Sequence, residues 1–201
     1  QDKSSKYKQT QADLKLAQKA DVNCPVDNIS WYDAIRFMNE LSALSGLEPC
    51  YEFKSGDVSW PEGFACEGYR LPTEAEWEYF ARSGTEFRYP GSIIPTSVSW
   101  SKPKSKGFYH PVAQLDANAW KIFDLSGNVW EWCWDYYGRY GRKTAVDPLG
   151  PELGLERVRR GGDYAVQQKH ATVTRRSSKN PRNADWTGTG FRIVRTRHKG
   201  K

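Results

Sequence analysis

The chain has 201 residues, the length of one ordinary domain, with 38% hydrophobic and 27% charged side chains. No apolar run approaches the roughly 18–20 residues that cross a bilayer as a helix, and 9 Trp, 11 Tyr and 8 Phe are too much large apolar surface for a solvated coil. The net charge of +6 is uneven: residues 151–201 carry 13 basic side chains against 4 acidic ones, which would suit nucleic acid, an anionic glycan or an acidic protein but reads more simply as solvated surface plus structural arginines.

Residues 1–20 are polar, rich in Lys and Gln, and read as an arm or short helix. A chain that opens on Gln1 reads as processed, with any secretion signal already removed. Ser30 is placed to cap a helix whose apolar side is Ala34, Phe37, Met38, Leu41 and Leu44, stopped by Gly46. Two short strands, Cys50-Tyr-Glu-Phe and Asp57-Val-Ser-Trp60, flank a turn at Gly56. Thr73 and Glu76 form a capping box for a second helix, with Trp77, Phe80 and Ala81 inward and Gly84 past its end.

Helical periodicity disappears from Ile93 onward, and short strands are expected at Glu156–Arg160, Thr172–Thr174 and Gly190–Arg195. The pattern is α+β: two early helices, then a loop-rich β region. Without an internal linker, 21–197 is one domain and 198–201 a basic tail. Cys24, Cys50, Cys66 and Cys133 contain no C-x-x-C pair, and His110, His170 and His198 are scattered, so a zinc site is not expected. Pairing of Cys50 with Cys66 across a hairpin and four buried thiols both remain open.

Four segments occur in order: Pro25-Val-Asp-Asn-Ile-Ser-Trp-Tyr-Asp-Ala34, Gly68-Tyr-Arg-Leu-Pro-Thr-Glu-Ala-Glu-Trp-Glu-Tyr79, Asp124-Leu-Ser-Gly-Asn-Val-Trp-Glu-Trp132, and Arg159-Arg-Gly-Gly162 followed by Gly190-Phe-Arg-Ile-Val-Arg195. Together they resemble the formylglycine-generating-enzyme, or sulfatase-modifying-factor, domain over about 21–197. The resemblance implies a variant of the C-type lectin fold, with the usual N-terminal part of the domain short or absent.

Each segment also has its own chemistry. Glu74 and Glu76 sit in the first turn of the second helix, where its dipole favours them, and a salt bridge to Arg70 is a simpler reading than paired acid–base catalysts. Side-chain oxygens of Asp124 and Glu131 around Gly127-Asn128 suit either a hard cation, which takes about 6–8 oxygens, or a metal-free turn. The resemblance implies structural calcium there, held by the Asp124 and Glu131 side chains and the Gly127 and Val129 carbonyls. No other cofactor is required. Trp130, Trp132 and Trp134 alternate, giving one strand face made of indole, fit for core packing.

The related oxidases carry two active-site cysteines after the Gly-Gly segment and act through copper and thiolate chemistry. Aligned from Gly161-Gly-Asp-Tyr164, those places fall at Val166 and Ala171, where no sulfur stands. A non-catalytic ligand-binding protein, receptor- or adhesin-like, is the expected reading. The polar 163–189 segment also resembles the diversified region of retroelement variable proteins. That likeness implies variable ligand contacts at Asp163, Ala165, Val166, His170, Ala171, Asn183, Ala184, Asp185 and Thr187, with Arg175 and Arg176 as polar anchors or structural ion-pair partners. It implies fixed residues at Gln167, Gln168, Lys169, Lys179 and Trp186.

The partner would be a protein, a small molecule or a glycan rather than nucleic acid. The protein would be monomeric and cell-surface or extracytoplasmic, meeting the membrane only through an N-terminal lipid anchor outside this chain. The alternatives are a metal-dependent oxidase or sulfoxide synthase, and a polyanion or nucleic-acid binder.

Overall fold

In a computed structural model, which describes residues 23–54, 56–141, 143–184 and 188–197, the expected Ser30 cap opens helix α1 (Trp31–Leu44). The Ser30 hydroxyl accepts from the Asp33 amide while the Asp33 carboxylate accepts from the Ser30 amide, so two end donors are satisfied reciprocally. Gly46 ends the helix at φ +70°, a backbone state that costs other residues a Cβ clash.

The buried stripe is not the expected one. Trp31, Ala34, Ile35, Met38 and Ser42 face inward, whereas Phe37 and Leu44 are exposed. Trp31 and Ile35 outweigh Phe37 and Leu44 in setting the helix rotation. Phe37 then meets Phe191 at 5.3 Å between ring centres.

Strands β1 (Glu52–Lys54) and β2 (Asp57–Ser59) form the expected hairpin, with Glu52 opposite Ser59. Cys50 and Cys66 are joined in a disulfide with Cα atoms 5.6 Å apart, and Cys24 and Cys133 keep their thiols. Strand β3 (Tyr69–Arg70) leads through Pro72 into α2 (Glu74–Arg82), capped by the Thr73–Glu76 box. Arg70 clasps both Glu76 oxygens at 2.7 Å, the structural salt bridge expected of it. A third helix, α3 (Pro95–Val98), is a single turn.

The remaining strands are β4 (Trp130–Tyr136), β5 (Arg157–Arg160), β6 (Arg176–Lys179), β7 (Thr189–Phe191) and β8 (Val194–Arg195). Four of them form a mixed sheet in the order β6-β5-β4-β7, antiparallel except where β7 runs parallel to β4, with Glu131 opposite Gly190. β8 leaves that sheet and pairs with β3, Tyr69 opposite Arg195. The expected 190–195 strand is therefore split. Thr172–Thr174 is a turn rather than a strand, its Val173 buried, and the pairing partner of β5 is β6 instead.

β4 divides the interior. Its Trp face packs Trp132 and Trp134 into a cluster with Trp31, Tyr51 and Trp60, the Tyr51 and Trp134 rings stacked at 5.1 Å. Its other face sends Cys133 into a second cluster with Trp77, Ala81 and Val158 beneath α2. Glu131 and Asp135 flank Cys133 on that side: Trp77 Nε1 donates to Glu131 at 2.6 Å, and Asp135 accepts from the Glu74 amide at 2.7 Å. Residues 1–20 and 198–201, read as arm and tail, lie outside the described residues.

Candidate functional site

Leaving β5, the chain turns at Gly161 and Gly162, with φ of +89° and +84°, into the segment expected to bear the ligand contacts. Asp163 is not displayed there. It is buried, and its Oδ1 accepts from the Ala165 and Val166 amides at 2.9 Å each, making it the clasp of the turn. Burial pushes its carboxyl up from the ordinary range, against the pull of those two amides and Arg159.

Ala171 is a second correction. It is fully buried and its carbonyl accepts from the Ser126 hydroxyl, so no ligand reaches it. Val166 is half-buried, and the Lys102 amide donates to its carbonyl at 2.9 Å. Small size at a loop position thus marks a packing site at Ala171 and an open one at Ala165, a distinction that sequence alone does not carry.

Ala165, His170, Asn183 and Ala184 are exposed, and Asp185 and Thr187 lie outside the described residues. A Cβ at Gly188 would sit 3.0 Å from the Tyr164 ring, so the 163–165 turn and the end of the 183–188 segment meet. His170 belongs elsewhere. It ends a short 3₁₀ turn (Gln168–His170) and borders a cleft of about 610 Å³ with Arg88, Lys169 and Arg175.

Of the two readings of Arg176, anchor or structural ion-pair partner, the structure shows the second: it is tied to Glu74 through Nε at 2.8 Å and Nη2 at 2.5 Å. Arg160, fully buried, reaches Glu74 at 3.4 Å and Glu78 at 2.5 Å. Glu74, Glu78, Arg176 and Asp135 line a cleft of about 670 Å³ walled by residues 138–141 and 148–151. Burial, with the neighbouring Glu74 charge adding, pushes the Asp135 carboxyl up to about 7. Burial and Glu74 likewise push Tyr140, whose hydroxyl donates to Glu74 at 3.1 Å, up to about 12. No motif in the sequence marks this cleft. The signal available was the long run without helical or strand pattern after Tyr136, a length at which loops in compact domains tend to be functional.

The residues expected to hold calcium come together only in part. Glu131 is buried, with Arg192 donating to it at 2.6 and 3.0 Å and Trp77 at 2.6 Å. Asp124 borders the same pocket but accepts from the Ala113 amide at 2.7 Å. Burial raises its carboxyl while Arg192 lowers it. At Gly127, φ is +75° and a Cβ would collide with the Trp100 carbonyl, so the turn is fixed by packing. As the side chains stand, the set does not fit a calcium ion, because the one deeply buried carboxylate is already neutralised by a guanidinium. Among the described residues no group of three or more His, Cys, Asp and Glu side chains is arranged for a metal.

Sulfur is equally constrained. Cys50 and Cys66 are bonded to each other, and Cys133 is fully buried, its thiol pushed far up by burial and by Asp135. A thiol so disfavoured as thiolate is a poor nucleophile and metal ligand.

The sulfatase-modifying factor enzyme 1-like domain matches residues 2–197. The chain belongs to the sulfatase-modifying-factor family. It is 31% identical over 208 residues to the chaperone protein LppX of Paenibacillus barcinonensis, covering 86% of this chain and 70% of that one. It is 36% identical over 160 residues to the formylglycine-generating enzyme of Streptomyces coelicolor, covering 68% of this chain and 51% of the enzyme, so it spans about half of that relative. Among solved structures, Treponema denticola variable protein 1 superposes with a TM-score of 0.79 at 31% identity, covering 87% of this chain and 72% of that one. The crystal structure of CarF gives 0.70 at 29%, covering 90% and 71%. These likenesses agree with the α+β family fold read from the four motifs. The proteins this chain is similar to thus include enzymes as well as the variable protein.

Proposed function

We propose that this member of the sulfatase-modifying-factor family is a non-catalytic recognition protein. One observation carries the reading: Val166 and Ala171 occupy the places expected to bear the oxidase cysteines, one half-buried and the other sealed in the core. Copper-thiolate chemistry has no sulfur to work with at that point. Likeness to a variable protein and to a chaperone supports recognition of a partner rather than its chemical conversion.

The contact set is the exposed Ala165, Asn183 and Ala184 and half-buried Val166, with Asp185 and Thr187 carried over from the sequence and exposed His170 standing apart on the 610 Å³ cleft. Asp163 and Ala171 drop out of it. If a retroelement diversifies the protein, sibling genes differ at these positions and keep Asp163 and Ala171. The Cys50–Cys66 disulfide supports display outside the cytoplasm, since such bonds persist in oxidising compartments. Among the described residues no helix is long and apolar enough to cross a membrane.

The test is copper and iron content after purification, followed by oxygen uptake with a cysteine-containing peptide. The expected outcome is no stoichiometric redox metal and no uptake. Turnover with bound copper or iron would overturn the reading in favour of an oxidase.

A further inference from the structure

Most arginines of the basic C-terminal quarter have structural partners: Arg160 and Arg176 hold Glu74 and Glu78, Arg192 holds Glu131, and Arg157 lies over the Trp31 and Tyr136 rings at 4.0 and 3.5 Å. The 610 Å³ cleft beyond α2 breaks that pattern. Of the cations lining it, Arg82 and Arg176 are answered by Glu78 and Glu74. Lys169, His170 and Arg175 are exposed and make no side-chain hydrogen bond or ion pair with other described residues. Arg88 uses one nitrogen on the Lys169 carbonyl at 3.1 Å. The cleft's one uncommitted carboxylate, Glu86, is 97% exposed and only grazes Arg82 at 3.5 Å.

The two walls are held at fixed spacing. The Val173 amide donates to the Arg88 carbonyl at 3.0 Å, and the Arg88–Lys169 bond ties the wall's other end. Like charges confined this way repel, and an anion relieves the repulsion. The hydroxyls of Thr172 and Thr174, 3.4 Å apart in the same cleft, add neutral donors. A cleft lined from both walls by cations and hydroxyls suits a compact group with three or more acceptor oxygens, and arginine binds such groups through paired N–H bonds. The footprint is one cleft, not the running stripe of cations that tracks a nucleic-acid backbone.

We propose that the cleft between residues 86–88 and 169–175 binds an oxyanion ester, a sulfate or phosphate group carried on the ligand. This inference rests on the recognition reading and gives it a ligand chemistry.

The experiment titrates the full chain by calorimetry with galactose 6-sulfate, galactose 6-phosphate, unmodified galactose and inorganic sulfate. Both esters should bind and galactose should not. Arg175→Ala and Lys169→Ala should each weaken ester binding on the order of tenfold, the worth of a charge-assisted hydrogen bond. Both side chains are exposed and unpartnered, so both variants should fold. Arg139→Ala, at the rim of the other cleft, is the control and should leave binding unchanged. Inorganic sulfate competing as well as the ester assigns the site to the anion alone, and weaker competition assigns it to the esterified sugar. Binding of galactose equal to that of its esters, equal losses in the Arg139 control, or no binding of any anion would overturn the proposal. None of those outcomes touches the recognition reading, which fails only on metal-dependent turnover.

Discussion

On the α2 side of β4, buried Arg160 and half-buried Arg176 are answered by carboxylates, whereas along residues 169–175 Lys169 and Arg175 are exposed and unanswered. Both regions belong to the same basic quarter of the chain, so net charge does not separate them. What separates them is whether β5 and β6 deliver the side chain to the first turn of α2. Where they do, a cation is needed to hold Glu74 below the surface. Where the chain runs outside the sheet, a cation is left to meet solvent or ligand.

The largest break in this contrast is Arg160→Ala. It removes donors from Glu74, Glu78 and the Val173 and Thr174 carbonyls, all in or near the core. Stripping one partner from a buried ionic cluster costs about 3 kcal/mol or more, read by urea unfolding.

Asp135→Asn sharpens it through pH. The folded carboxyl is pushed up to about 7 from 3.8, so the native state holds a proton that the unfolded chain releases. The stability this lends is complete below about pH 4 and is lost as pH rises through about 7. The Asn amide oxygen still accepts from the Glu74 amide. The variant should therefore match the wild type near pH 4 and exceed it by on the order of 4 kcal/mol at pH 8. A constant difference across that range would refute the assignment.

Asp163→Ala comes next, with a loss of about 1 kcal/mol as the Ala165 and Val166 amides lose their shared acceptor. Thermal melts of Arg175→Ala and Asn183→Ala should fall within about 0.5 kcal/mol of the wild type, as for exposed sites without partners.

The helix starts were legible because capping is local: Ser30 and Thr73 act on amides three residues away. The hairpin and the indole face of β4 follow from alternation over a few residues in the same way. The rotation of α1 was not legible, since its choice between Ile35 and Phe37 depends on Trp132 and Trp134, about 100 residues on. Strand β6 was missed because Arg-Ser-Ser-Lys lacks the apolar alternation of a strand. Its place is set by pairing to β5 and by Arg176 reaching Glu74. Which positions of the 163–189 segment are exposed was not legible, because burial of Ala171 is decided by Gly162 and Ser126, brought against it from elsewhere in the chain.

The last described stretch, 188–197, supplies both the parallel partner of β4 and the antiparallel partner of β3. Trp130 and Tyr69 must therefore wait for residues roughly 60 and 125 positions later before their strands can close. Pairing over such separations is intrinsically late in folding. A ribosome that stalls before Thr189 releases a product with neither sheet finished, so a nonsense codon anywhere upstream should abolish the protein outright instead of yielding a weakened one.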